Sequence, residues 1–138
     1  MNIHARFERY VEDYKLFSKS DKILVAVSGG RDSMLLVWLL LHSQYAIEIA
    51  HCNFQLRCEE SDGDEALVRE FAAENSIPLH VKKFDTLRYS EENKVSIQVA
   101  ARQLRYEWFE ELREERNCKV IAVAQHMNDS VETVLFNL

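Results

Sequence analysis

The chain is short of residues that interrupt regular structure, with one proline and three glycines among 138 residues. Long helices and strands are therefore expected, and each glycine marks a place where the backbone makes a special demand. Cysteine is also scarce: Cys52, Cys58 and Cys118 are odd in number and form no C-x-x-C pair. That argues against a disulfide framework, a zinc ribbon and a redox dithiol. Reduced, structural thiols are expected, with a reactive Cys52 at a strand end as the alternative. No apolar run approaches the roughly 20 residues that span a bilayer. The charged, amphipathic start, Met1 to Glu8, is no signal peptide, so a cytoplasmic location is expected with no membrane partner. Positive charge is missing in sum, the net charge being −6. There is no broad basic footprint for nucleic acid, and an RNA substrate would need most of its phosphate neutralisation from elsewhere.

What is present suits one globular domain, with 47% apolar residues and no internal repeat. Ile3, Phe7, Tyr10, Val11, Tyr14 and Phe17 share a helical stripe. A buried strand is predicted over Lys22 to Val27, a helix over Asp32 to His42 and a second strand over Tyr45 to Asn53. Ser61-Asp62-Gly63-Asp64 reads as the start of a helix through Asn75, with Ala66, Leu67, Val68, Phe71 and Ala72 inward. Leu79 to Phe84 alternates as a third strand, and Asp85 to Val95 reads as a polar loop. A long helix follows from Ser96 to about Arg116, with Ile97, Ala100, Ala101, Leu104, Trp108 and Leu112 inward. Val120 to Ala124 is a fourth strand, Gln125 to Asp129 its loop, and Asp129-Ser130-Val131-Glu132 the cap of a last helix. Strands alternating with helices predict an α/β, doubly wound, mainly parallel sheet.

The most informative segment is Ser28-Gly29-Gly30-Arg31-Asp32-Ser33, between the first strand and its helix. Strand, Gly-Gly turn and helix start make an anion site, because first-turn N–H groups point into the turn. Ser28 and Ser33 add hydroxyls, and Asp32 adds a carboxylate suited to phosphate-bound Mg²⁺. G-x-x-x-x-G-K-[ST] and the third glycine of a dinucleotide fingerprint are both missing. Three further groups are predicted near that rim: His51 and Asn53 after strand two, His126, Asn128 and Asp129 after strand four, and Arg102 with Arg105 on one helix face.

The pattern S-G-G-x-D-S resembles the pyrophosphate loop of the ATP pyrophosphatase (PP-loop) superfamily. More specifically, Ile23 to Met34, Ala50 to Val68, Ala100 to Tyr106 (A-A-R-x-x-R-Y) and Ala124 to Leu138 resemble the tRNA(Ile)-lysidine synthase family. In Ala50 to Val68 the matching positions are Asn53, Gln55-Leu56-Arg57, Glu60-Ser61 and Asp64-Glu65. Gln125, Asn128 and Ser130 depart from that family's A-H-H-x-D-D-Q segment, and Phe54 stands where it commonly has His.

The resemblance implies adenylation of the C2 oxygen of a wobble cytidine by ATP, release of pyrophosphate, and attack by the ε-amine of free L-lysine. The tRNA would be an isoleucine tRNA with a CAU anticodon. Ser28, Gly29, Gly30, Arg31, Asp32, Ser33, His51 and Asn53 would bind the nucleotide. Asp32 and Asp129 would hold Mg²⁺, Arg102 or Arg105 would neutralise the α-phosphate, and His126 would act as base or phosphate donor. It also implies that residues 1–138 are an N-terminal ATP-binding domain lacking its remainder and the tRNA-binding domains, inactive alone. Strand four would then offer an unpaired edge, from which a homodimer is expected. Another tRNA-modifying enzyme of the superfamily, such as a thiolase, and a non-catalytic nucleotide-binding module are the alternatives.

Overall fold

The computed structural model describes residues 3–124 and, as backbone, 133–136. Its order is α1 (Ile3–Asp13), β1 (Lys22–Ala26), α2 (Arg31–His42), β2 (Ala46–Asn53), α3 (Cys58–Glu74), β3 (Leu79–Lys83), α4 (Thr86–Asn93), α5 (Ile97–Glu115), β4 (Val120–Ala124) and β5 (Thr133–Phe136). The strands form one sheet in the order β3-β2-β1-β4-β5. The first four pair in parallel, with Ile23 beside both Ile47 and Val120. The expected α/β, doubly wound, mainly parallel architecture is what forms.

Alternation along the strands decides which helices cover which face. Ile23, Val25, Ile47 and Ile49 point into one core with Phe7 and Val11 of α1, Leu36 and Leu40 of α2, and Val68 and Ala72 of α3. Leu24, Ala50 and Ile121 point the other way, against Phe109 and Leu112 of α5. The crossovers after β1 and β2 step outward, and the one after β3 returns to the far side of β1. The winding therefore reverses at β1, and its carboxyl end is the place for a ligand.

Glu48 is the exception to the apolar interior. It lies on β2, 3% exposed, with Lys22 Nζ at 2.9 Å, His80 Nε2 at 2.7 Å and Arg116 Nε at 2.8 Å. Burial alone would raise its pKa, but the bonds from Arg116, His80 and Lys22 outweigh it and bring the carboxyl down to about 2.

Several expectations need correction. Asp85 to Val95 is not a loop: the Asp85 carboxylate accepts from Arg88 N to cap α4, which ends at left-handed Lys94. With few apolar residues, α4 has no stripe to read. α3 starts at Cys58, ahead of Ser61, with Glu59 and Glu60 in its first turn favouring the helix dipole. Leu67 is 46% exposed and Ile97 43%, whereas Phe109, absent from the expected inward set, is 2% exposed. The last helix is corrected as well. The expected loop and cap, 125–132, lie outside the described residues, and Thr133–Phe136 is a strand antiparallel to β4. Thr-Val-Leu-Phe has high strand propensity, and pairing satisfies the backbone groups along β4. The edge that argued for a homodimer is thus covered by the chain itself.

Candidate nucleotide-binding site

β1 delivers Ser28 and the two glycines to the reversal point of the sheet. Gly29 has φ +92°, the left-handed region in which a side chain is strained. It also sits against α3, since a Cβ there would lie 3.1 Å from Asp64 Cβ. Gly30 is the N-cap of α2, and no side chain caps that helix end. Its first-turn N–H groups therefore remain available to a ligand. The two hydroxyls are preorganised: Ser33 Oγ donates to Gly30 O at 3.0 Å and accepts from Ser28 N at 3.2 Å. Ser28 Oγ lies 3.2 Å from Ser33 Oγ and accepts from Gly30 N at 3.1 Å. Asp32 stands in the first turn of α2 beside the loop, half-buried, and Arg31 is exposed.

β2 supplies the second wall. His51 is 2% exposed, with Nδ1 2.6 Å from the carbonyl oxygen of Val27, the residue before the loop. Asn53 is equally buried but fully engaged. Its amide donates to Asp62 Oδ1 and Glu65 Oε1, both at 3.1 Å, and its carbonyl accepts from Gln55 N at 3.0 Å. Burial opposes the charge on Glu65, yet bonds from Asn53 and Arg69 hold its carboxyl below the usual range. Asn53 thus ties the start of α3 to β2 and thereby sets where Asp64 meets Gly29. Gln55 takes a left-handed φ of 55° and donates from its side chain to Phe84 O at 2.9 Å. The spacing of Asn53, Asp62 and Glu65 carried no recognisable signal beyond their place in the Ala50 to Val68 segment.

Arg102 and Arg105 part company. Arg105 lies over the Phe54 ring, 5.3 Å from its centroid, and faces the rim. Arg102 is exposed over Tyr106 and lines neither cleft beside the loop. Two clefts meet at Ser28, Cys52, Phe54 and Arg105. One, about 170 Å³, lies over the ends of β1 and β4 with Val27, Ser33 and Val123 in its wall. The other, about 380 Å³, runs over the end of β2 with His51, Arg57 and Asp64. A further cleft of about 470 Å³, lined by Lys22, Arg113 and Lys119, sits at the amino ends of the strands, the wrong end for a ligand in such a sheet.

Cys52, in both loop-side clefts, is no reactive thiol. Burial pushes its pKa up to about 12, and Arg105 and Lys82 only partly oppose that. No group of three or more His, Cys, Asp or Glu is arranged to hold a metal among the described residues. Asp32 in the first turn of α2 is of the donor type that phosphate-bound Mg²⁺ uses, one or two carboxylates with phosphate and water oxygens. His126 and Asp129 lie outside the described residues. Among the described residues no helix is long and apolar enough to cross a membrane.

The PP-loop domain family matches the chain over residues 1–138. Among similar curated proteins, a tRNA(Ile)-lysidine synthase of Bacteroides thetaiotaomicron is 52% identical, covering 99% of this chain and 32% of its own length. One from Parabacteroides distasonis is 50% identical over 94% of this chain and 30% of its own. One from Clostridium tetani is 37% identical over 93% and 28%. The chain spans about a third of the length of these relatives.

Proposed function

The chain belongs to the PP-loop domain family, and from that premise we propose that it is the ATP-binding part of a cytoplasmic enzyme that makes lysidine at the wobble position of a tRNA. The observation that carries the reading is the loop itself: a left-handed Gly29, an uncapped helix start at Gly30 and two interlocked serines. Such a loop receives the β- and γ-phosphates of ATP, and its hydroxyls turn from each other onto phosphate oxygens.

In the first step the C2 oxygen of the cytidine attacks the α-phosphorus, and pyrophosphate leaves from the loop. In the second, the lysine ε-amine attacks C2, and AMP leaves. Nucleotide in one loop-side cleft and acceptor in the other would place the α-phosphate at their shared wall. Arg105 stands there and offsets the charge that develops on the phosphate. Mg²⁺, when bound, would neutralise phosphate charge, and Asp32 in the first turn of α2 is the carboxylate proposed to hold it, with Asp129 as its partner. Asp129 alternatively orients the lysine amine, and His126 serves as base or phosphate donor. A thiolase is disfavoured by the lack of C-x-x-C. A module that only bound nucleotide would have no need of Asp32 at the loop.

The test is pyrophosphate release by the full-length protein with CAU-anticodon isoleucine tRNA and lysine. Release that depends on that tRNA supports the reading. Release with no tRNA requirement, or none at all, rejects it.

A further inference from the structure

Arg105 is half-buried in the wall that the two loop-side clefts share. Arg57, Arg69, Arg88, Arg113 and Arg116 each hold a carboxylate within 3.4 Å. Arg105 has no such partner among the described residues, although acids outnumber bases in the chain by 23 to 17. The Cys52 thiol in the same wall cannot stand in for one, since burial keeps it neutral. What lies under the guanidinium is the ring of Phe54, its centroid 5.3 Å from Arg105 Cζ. The elements around that ring fix it. It stacks on Phe84, with centroids 5.6 Å apart and planes 21° from parallel. Phe84 is itself buried and meets the Trp108 ring edge-on at 6.1 Å. The Phe54 carbonyl accepts from Thr86 Oγ1 at 2.8 Å, and Thr86 is buried. Trp108 follows Arg105 by one turn of α5, so the helix that carries the cation also buttresses the ring.

A half-buried cation without a counter-charge is destabilised by lost hydration unless a neighbour offsets it. The face of an aromatic ring does so, because its quadrupole is negative there. A carboxylate would hold the guanidinium more tightly, but it would occupy the fork of N–H donors and compete with a phosphate for them. A ring face has no lone pair, so it holds the charge and leaves the donors available. We propose that Phe54 is the positioning residue for Arg105: its ring holds the guanidinium at the wall between the two clefts by cation–π attraction, with the N–H donors kept for the anion that spans them. The inference rests on the reading above, in which that anion is the α-phosphate. It makes the electron density of the ring, and not its bulk alone, a determinant of the adenylation rate. Negative charge on the phosphate grows toward the transition state, so the effect falls on kcat rather than on ATP affinity.

The experiment varies the ring at nearly constant shape. In the full-length protein, position 54 carries phenylalanine or its mono-, di- and trifluorinated analogues, which drain charge from the ring face stepwise. Single-turnover pyrophosphate release is measured with saturating ATP and CAU-anticodon isoleucine tRNA, with ATP affinity and melting temperature followed alongside. The logarithm of the rate should fall in even steps, to about tenfold below the parent at the trifluorinated ring, as loss of a desolvated cation–π contact requires. ATP affinity and melting temperature should hold steady. In the Arg105→Gln background, already slow, the series should be flat. A flat series beside a slow Arg105→Gln would overturn this proposal and leave the role of Arg105 standing. A fall that persists without Arg105, or that tracks a falling melting temperature, would show that the ring acts through packing and would refute it. Arg105→Gln as fast as the parent would overturn both. Arginine Nε–Hε NMR of the 138-residue chain tests the contact without reference to activity. The Arg105 signal should lie upfield under the ring current and return downfield in Phe54→Leu. A signal indifferent to that change would overturn the placement.

Discussion

Replacing Glu48 by Gln removes one charge from the only interior carboxylate described that faces three nitrogen donors, Lys22, His80 and Arg116. The group is drawn from its ordinary 4.5 to about 2 in the folded chain. The sign follows from that depression: the folded state holds its proton less tightly than the unfolded state. The contribution is complete above pH 4.5 and is lost as pH falls toward 2. Taken at face value the shift is worth on the order of 3 kcal/mol. Both cations soften that figure. The Arg116 side chain is 43% exposed and Lys22 33%, so both can reach water once Glu48 is neutral. A loss of about 2–3 kcal/mol at pH 7 is expected, below the range for stranding a fully buried partner. In a domain of this size that lowers the melting temperature by roughly 8 °C. Urea denaturation of both chains at pH 7, 4.5, 3.5 and 2.5 is the assay. The gap between them should be widest at pH 7 and should narrow across the last three. Equal midpoints at pH 7, or a gap that ignores pH, would refute the reasoning.

The loop gives further expectations. Gly29→Ala must hold φ +92° with a Cβ 3.1 Å from Asp64 Cβ. It should cost about 1–2 kcal/mol and weaken nucleotide binding together, measured by thermal melting and calorimetry. An unchanged melt would mean that the loop relaxes freely. Asp32→Asn should abolish pyrophosphate release in the full-length protein and barely move its melting temperature, because Gly30, not Asp32, is the N-cap of α2. Retained turnover would count against a metal-holding role. Arg105→Gln should slow adenylation by about 10²-fold, as loss of a charge-stabilising donor does. Arg102→Gln, outside both clefts, should fall well short of that in single-turnover kinetics, and a reversed order would move the active arginine to Arg102.

Those two arginines show where reading the chain stops. The alternation of strands and helices, the mainly parallel sheet and the Gly-Gly loop were all legible, because each depends on local pattern: apolar runs, glycines and alternation. Spacing also placed Arg102 and Arg105 on one side of α5, and that remains true of the helix taken alone. What spacing cannot give is the phase of the helix against the sheet, which is set by how side chains from other elements pack. Phe109, one position beyond the expected Trp108, is the residue buried against the sheet with Leu24 and Ile121. Arg105, one turn before Phe109, is thereby carried over Phe54 to the cleft. Arg102, one turn earlier again, is carried out to Tyr106 and solvent. The same limit hid the role of Asn53. Its partners, nine and twelve residues on, become neighbours only because α3 starts at Cys58 and folds back over the end of β2. A predicted start at Ser61 puts Asp62 and Glu65 in the first turn, where they read as ordinary helix-start acids. Sequence locates chemistry that one element carries whole; chemistry assembled between elements waits on their docking.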